Sequence, residues 1–448
     1  MSTKLFLLFI CVLLSSNALL SQNNTERKKT AEQLSQEKKT QELSVIEKET
    51  VRIIDSISKA EKLERFEVLT KGNIPVEWFN LPLNKLIDYN NYEGFRLGLG
   101  IMTNERFSNY FSVGGYFGYG FKDKDWKYGG DLILILHKES ESKLHFSYMN
   151  DVIEKSAYSF LEILDFSTSE IYRSLMIKDM DLIKKYQVEY NALIFEYFRF
   201  NVYLNQSYVK ATDDYSFGST IASSTNNFSF NEIGIQFRYA YKEKFKQTTK
   251  TKYSLGTNYP ILFGNLSKGT NWIDGEYEYT KIEAKITKTF KTKTFGKTKL
   301  ALVGGLTKGN VPISKLYNGH GSHGSFSFEA ENSFGTMRMG EFYSDRFFYV
   351  FLKHDFGSLI FNSEIFNPEF IVVNNFGIGE LSQNTNHQTT APIQSIEKGY
   401  YESGLLINNI LNSSFSGIGF GLFYRYGSYS FTNTADNFSY KLTLTIGL

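Results

Sequence analysis

Residues 438–448 run Phe438-Ser439-Tyr440-Lys441-Leu442-Thr443-Leu444-Thr445-Ile446-Gly447-Leu448. Tyr440, Leu442, Leu444, Ile446 and Leu448 alternate with Ser439, Lys441, Thr443, Thr445 and Gly447. Successive side chains of a strand point to opposite faces, so this segment is apolar on one side and small or polar on the other. A strand of that kind separates two environments. With an apolar last residue, it reads as the closing strand of a membrane β-barrel rather than the tail of a soluble domain.

The pattern recurs upstream from Tyr92. Phe95, Leu97, Leu99 and Ile101 oppose Arg96, Gly98 and Gly100, and Phe198, Phe200, Val202 and Leu204 oppose Arg199, Asn201, Tyr203 and Asn205. Ile233, Ile235, Phe237 and Tyr239 oppose Glu232, Gln236 and Arg238. Ile282, Ala284 and Ile286 oppose Lys281, Glu283 and Lys285, while Ile418, Phe420, Leu422 and Tyr424 oppose glycines and Arg425. A packed soluble core cannot absorb Arg, Lys and Glu on its inner face, whereas a wet lumen can. Arg96, Arg199, Arg238, Lys281, Glu283, Lys285, Arg425 and Lys441 are therefore candidate lumen residues. At about ten residues per tilted strand, residues 89–448 form an all-β, transmembrane antiparallel β-barrel of about 14–16 strands, with sixteen the preferred count. The non-strand stretches 151–184, 212–228, 308–324 and 381–398 fit the long loops of one barrel face. A phase switch between Tyr279 and Ile282 reads as a bulge or the edge of an aromatic girdle.

Composition agrees. Mean hydropathy is −0.29 and charged residues are 21%, as in soluble proteins, yet 16% of residues are aromatic. Thirty Tyr and 40 Phe against six Pro suit lipid-facing staves with aromatic girdles. A net charge of +2 argues against nucleic acid as a partner.

Lys4, the apolar run Leu5–Leu14 and the small residues Ser15, Ser16 and Ala18 read as a cleaved signal peptide over 1–21. Its loss would remove Cys11, the one cysteine. Residues 22–88 read as a charged, helical periplasmic or plug segment, in which Leu43, Ile46, Ile53, Ile57 and Ala60 recur at helical spacing. An exported chain without an apolar helical anchor spans a membrane only as a closed barrel.

Enzyme chemistry finds little support. His320-Gly321-Ser322-His323 pairs two imidazoles in a Gly-rich loop without a neighbouring carboxylate, so no metal site is expected. Ser344, Asp345, His354 and Asp355 lie along one strand, which sets Ser344 and His354 about 33 Å apart, too far for a hydrolytic triad. Asp345 and Arg346 read instead as a carboxylate–guanidinium pair at a strand end or in the lumen. No catalytic residue and no cofactor is expected.

The run Tyr89-Asn90-Asn91-Tyr92-Glu93-Gly94-Phe95-Arg96-Leu97-Gly98-Leu99-Gly100 resembles an uncharacterised family of Bacteroidota outer-membrane barrels. Thr103-Asn104, Phe111-Ser112-Val113-Gly114-Gly115-Tyr116 and Tyr119-Gly120-Phe121-Lys122-Asp123-Lys124-Asp125-Trp126-Lys127-Tyr128-Gly129 add to the likeness, as do Tyr239–Phe245, Ser344–Phe348 and Glu402–Leu405 with Asn408–Ile410. Members often carry a carboxypeptidase-regulatory-like sandwich before the barrel, and this chain lacks it. More distantly, the terminal half is similar to surface-antigen barrels that assemble or secrete outer-membrane proteins. Those use POTRA domains, and residues 22–70 are too short for one. The resemblance implies an outer-membrane barrel bathed in lipid, with a periplasmic or envelope protein as partner. Its expected role is transport, secretion or outer-membrane biogenesis through a polar lumen, with a non-conducting scaffold barrel as the alternative.

Overall fold

The computed structural model describes residues 72–160, 170–247, 252–292, 294–324, 327–359, 361, 367–382, 386–390, 392–412 and 416–446. The expected signal peptide and the helical pattern of residues 43–60 lie outside these, while the end of the segment expected as helical over 22–88 is mostly strand, at Asn73–Val76, Phe79–Pro82 and from Ile87. Among the described residues no helix is long and apolar enough to cross a membrane.

A hairpin of β1 (Asn73–Val76) and β2 (Phe79–Pro82) leads through one helical turn, α1 (Leu83–Leu86), into β3 (Ile87–Asn90). The wall proper is β4 (Gly94–Thr103), β5 (Phe111–Gly120), β6 (Trp126–His137), β7 (Ser142–Glu154), β8 (Met180–Ile194), β9 (Phe198–Lys210), β10 (Asn227–Ala240), β11 (Ile261–Thr270), β12 (Tyr279–Thr292), β13 (Gly296–Lys308), β14 (Arg346–Asp355), β15 (Glu369–Glu380), β16 (Tyr400–Asn412), β17 (Ser416–Tyr426) and β18 (Phe438–Ile446). A second short helix, α2 (Glu170–Ser174), lies between β7 and β8.

Each strand from β3 to β18 pairs antiparallel with the next. β2 lies on the same edge of β4 as β3, with Phe79 opposite Thr103 and Ile87 opposite Leu97. With β1, β2 and β3 the sheet holds eighteen strands, more than the sixteen preferred; β2 and β3 counted as one interrupted stave, and β1 left aside, make sixteen positions in the wall. Gly98 and Gly100 leave room for the interruption. A Cβ on Gly98 would stand 2.8 Å from the Lys85 carbonyl oxygen and one on Gly100 2.7 Å from the Lys85 Cβ, so α1 is able to lie against the inner wall.

The outward register is apolar and exposed, as a lipid-facing band requires: Leu97, Leu99 and Ile101 are 48%, 45% and 42% exposed. Short turns join β6 to β7, β8 to β9, β12 to β13 and β16 to β17 at one end. In the β8–β9 turn, Phe195 and Glu196 both hold positive φ, 52° and 64°, the form of a tight hairpin. All four stretches read as long loops open at the opposite end. The first is shorter than expected, because β7 continues to Glu154 and β8 begins at Met180. Of the bulge and the girdle edge expected near Tyr279, the bulge is absent. β12 runs in unbroken register from Tyr279 to Thr292, and Tyr279 is an inward residue, 1% exposed.

Candidate functional site: the filled lumen and its seam

The inner wall carries charge, and much of it is paired. Arg96 bonds Glu93 at 2.5 Å and Asp151 at 3.0 Å, and Asp151 also accepts from the Tyr116 hydroxyl at 2.6 Å. Arg238 makes a two-pronged pair with Glu243 at 2.6 and 2.7 Å. Lys281 lies 3.3 Å from Glu283, and its ammonium sits 4.5 Å from the centre of the Tyr317 ring. Lys285 stands 5.6 Å from the Phe263 ring. Arg425 pairs with Glu341 at 2.8 Å and lies 4.8 Å over Tyr400, and Lys441 donates to the Ser322 carbonyl at 2.7 Å. Burying a charge is tolerated only with such pairing.

Many of those partners belong to loops folded into the barrel. Between β13 and β14, residues 309–324 and 327–345 enter the lumen. Tyr317–Asn318 pairs with Tyr343–Ser344, and Gly321–His323 lies parallel to Phe334–Arg338. Tyr317, Phe334, Met337 and Phe342 form a hydrophobic core with the inward Val303, Phe347, Tyr349 and Phe351 and with Ile396 and Tyr400. Glu402 on β16 is fully buried. It accepts from the backbone N–H groups of Gly335 and Thr336 at 2.7 and 2.8 Å and from the Asn375 amide at 2.7 Å. A second core of Val311, Ile313 and Leu316 with Tyr215, Phe217, Phe228 and Phe230 caps the long-loop end. The loop after β7 adds Tyr158 against Phe347, Phe160 against Phe263, and Arg173, which pairs with Glu154 and donates to the Gly321 carbonyl at 3.1 Å.

The seam between the first and last staves is built differently from the rest of the wall. β18 pairs with β17 on one edge. On the other, among the described residues, no ladder joins it to β2, β3 or β4. The Leu442 N–H instead donates to the Ser327 carbonyl at 2.9 Å, and the Glu329 N–H donates to the Leu442 carbonyl at 2.9 Å. Ser327 Oγ adds a 3.0 Å bond to the Tyr440 carbonyl. The inward loop thus lays Phe328 parallel to Leu442 on an otherwise antiparallel wall. Phe328 is buried among Val152, Met176, Ile177 and Met180, with Tyr172, Leu442 and Leu444 around them. From the other side, Asn91 beside β3 donates through its backbone to Ile177 at 2.9 Å and through its side chain to Met176 at 3.1 Å. Two loop segments therefore stand between the first and last staves.

Beyond Phe328 the loop tip reaches the far wall. Glu329 meets Lys353 at 2.9 Å and Glu331 meets Lys299 at 3.0 Å, and the two lysines are directly opposite one another on β13 and β14. Asn332, at φ 55°, turns the chain back. Burial alone would raise the Glu331 carboxyl, but Lys299 and Lys353 outweigh it and hold it down at about 2.

Among the residues expected in the lumen, Arg96, Arg238, Lys281, Glu283, Lys285, Arg425 and Lys441 lie inward and buried. Arg199 faces inward at the short-turn end and pairs with Glu141 at 2.5 Å. Two expectations need correction. Of the two places expected for Arg346, it takes the strand end: it opens β14 on the outward register with Phe348 and Leu352, pairs with Glu380, and is not in the lumen. Nor do Asp345 and Arg346 pair with each other: adjacent residues of an extended chain point apart, and Asp345 accepts from the Ser382 N–H at 2.6 Å. The wet lumen is also replaced by packed loop where Tyr317, Phe334, Met337 and Phe342 lie against the inner face of the wall. His320 stacks on Tyr158 at 4.5 Å while His323 meets Ser439 Oγ at 3.0 Å, so the two imidazoles have different neighbours. No cluster of three metal-ligating side chains occurs among the described residues. Ser344 and His354 sit near opposite ends of β14, and His354 meets Thr298. Glu402, Glu329, Glu331, Lys299 and Lys353 escaped the sequence reading. Only the alternation Phe328, Ala330 against Glu329, Glu331 hinted at them.

The profile of the Family of unknown function (DUF5686) C-terminal domain matches residues 76–388. No curated protein matches the chain. Among solved structures, BamA from Haemophilus ducreyi lacking POTRA domains 1–3 is similar at 10% identity and a TM-score of 0.48, over 80% of this chain and 68% of that one. CdiB from Acinetobacter baumannii is similar at 12% identity and a TM-score of 0.42, over 80% and 58%. CdiB from Escherichia coli is similar at 7% identity and a TM-score of 0.44, over 80% and 61%. The chain thus spans about three-fifths of the length of the two CdiB chains. Likeness at this level is silent on function.

Proposed function

The chain belongs to the DUF5686 family through its C-terminal domain, and since that family has no known function, we propose one from the barrel itself: an outer-membrane β-barrel, occluded at rest, that serves secretion or outer-membrane biogenesis by moving its inward loop and opening at the seam. The long-loop end then faces outward and the short-turn end faces the periplasm, the sidedness usual for such barrels. The observation that carries this reading is the edge of β18, bonded by the protein's own residues 327–329 rather than by the first stave. An edge strand presents unpaired N–H and C=O groups that cannot be left bare in lipid, so a movable filler at that edge is a gate.

Purified full-length protein in a planar bilayer is expected to show no steady current at neutral pH. A stable open-pore current from the wild type would overturn occlusion. A second reading, passive passage of polar solutes, draws on the half-exposed inner-wall group His145, Asp131 and Glu189, where His145 Nε2 lies 2.8 Å from Asp131. The same measurement separates the two.

A further inference from the structure

Residues Ser327-Phe328-Glu329-Ala330-Glu331, in which Phe328 bridges Leu442 and Glu331 opens a turn, have side chains that alternate in fate from Phe328 on. Phe328 and Ala330 are buried at 7% and 6%. Glu329 and Glu331 point the other way, to Lys353 and Lys299. A period of two with apolar residues on one face and carboxylates on the other is how a strand reads a two-sided site. The site has three parts: the backbone edge of β18 at Leu442, the apolar hollow of Val152, Met176, Met180 and Met339, and the lysine pair on β13 and β14. Main-chain bonds to an edge supply affinity and pockets for alternate side chains supply specificity.

We propose that this is a recognition site for an extended peptide segment of alternating apolar and acidic residues, entering from the short-turn end, and that residues 327–331 occupy it in cis as a built-in competitor. The inference rests on the occluded-barrel reading and names the partner that would displace the loop. Lys299 is 45% exposed and Lys353 21%, so the lysines are approachable while the cis carboxylates are on them. The cis segment is tethered at both ends, which gives it a high effective concentration, so a partner must match its charge as well as its backbone. Charge-assisted hydrogen bonds at the lysine pair supply that discrimination.

The test uses full-length protein in detergent and a fluorescently labelled peptide copying residues 325–333, with a second peptide in which both glutamates are glutamine. In E329Q/E331Q, where the cis competitor is weakened, the acidic peptide is expected to bind about tenfold more tightly than to wild type, and the glutamine peptide about tenfold more weakly than the acidic one. Adding K299Q/K353Q to that variant is expected to abolish the difference between the peptides, with heat-modifiable gel migration reporting that the barrel still folds. Equal binding of both peptides to a folded E329Q/E331Q barrel overturns the proposal. So does acidic-peptide binding that ignores the loss of both lysines. A silent wild type without acid-dependent binding sinks this inference and leaves occlusion standing. A conducting wild type with acid-dependent binding does the reverse.

Discussion

At the scale of single residues, the tip of the inward loop is held by charges whose protonation has a definite sign. Glu331 titrates at about 2, below its ordinary 4.5, because Lys299 and Lys353 outweigh the effect of burial. A carboxyl lowered in the folded form contributes stability that is complete above the unfolded value and is lost as pH falls through the folded one. His323 is lowered to about 4 by burial first and then by Lys441, Arg338 and Arg425. The displaced loop therefore takes up a proton there more readily than the packed loop between about pH 6.5 and 4, which again weakens packing on acidification. Both groups act in one direction. Bilayer recordings are expected to stay silent from pH 8 to about 6.5, to show brief openings that grow more frequent toward pH 4, and to show more below it. His323→Gln should reduce the upper part of that rise without abolishing it, because burial also lowers His320 in the same loop, and should leave the lower part. Openings that increase with rising pH would contradict the assignment.

At the scale of elements, the seam makes a geometric prediction. Neighbouring strands lie about 4.8 Å apart, within the separation a disulfide accepts. Phe328→Cys with Leu442→Cys is therefore expected to cross-link under mild oxidation, aided by a parallel bridge that pairs the two residues directly. A Phe328→Cys/Leu405→Cys pair, whose partner lies on β16 two staves away, should not. Cross-linking is expected to suppress acid-induced openings at least about tenfold, and failure to cross-link would displace the loop from the edge. The staves were legible in the sequence because lipid and lumen impose opposite chemistry on odd and even residues, as Phe237 and Arg238 or Ile282 and Glu283 illustrate. The contents of the lumen were not. Residues 308–324 are glycine-rich and polar, which reads as a solvated loop, and nothing local says that Tyr317 will meet Phe347 or that Ser322 will meet Lys441. Arg346 misled for a related reason: at the end of β14 the outward face leaves the apolar band and takes charge.

At the scale of the whole molecule, the protein is a wall and a filling whose stabilities are separable. The wall's backbone bonds run between neighbouring strands and need no loop, except at the seam. Replacing residues 310–344 with a short Gly-Ser turn is expected to give a barrel that still shows heat-modifiable migration, conducts steadily in a bilayer, and unfolds at lower denaturant than wild type. A variant that folds and stays silent would mean that other segments close the lumen. The joined residues Ser327 and Tyr440 are 113 apart in the chain, and contacts of such separation are slow to form because the intervening chain must first be ordered. The loop is anchored at both stems and roofed by Tyr215, Phe217 and Phe228. The Ser327–Tyr440 contact is therefore expected to form late, after a wall that stands without the loop. The bond that covers the edge of β18 is then also among the last that the chain can reach.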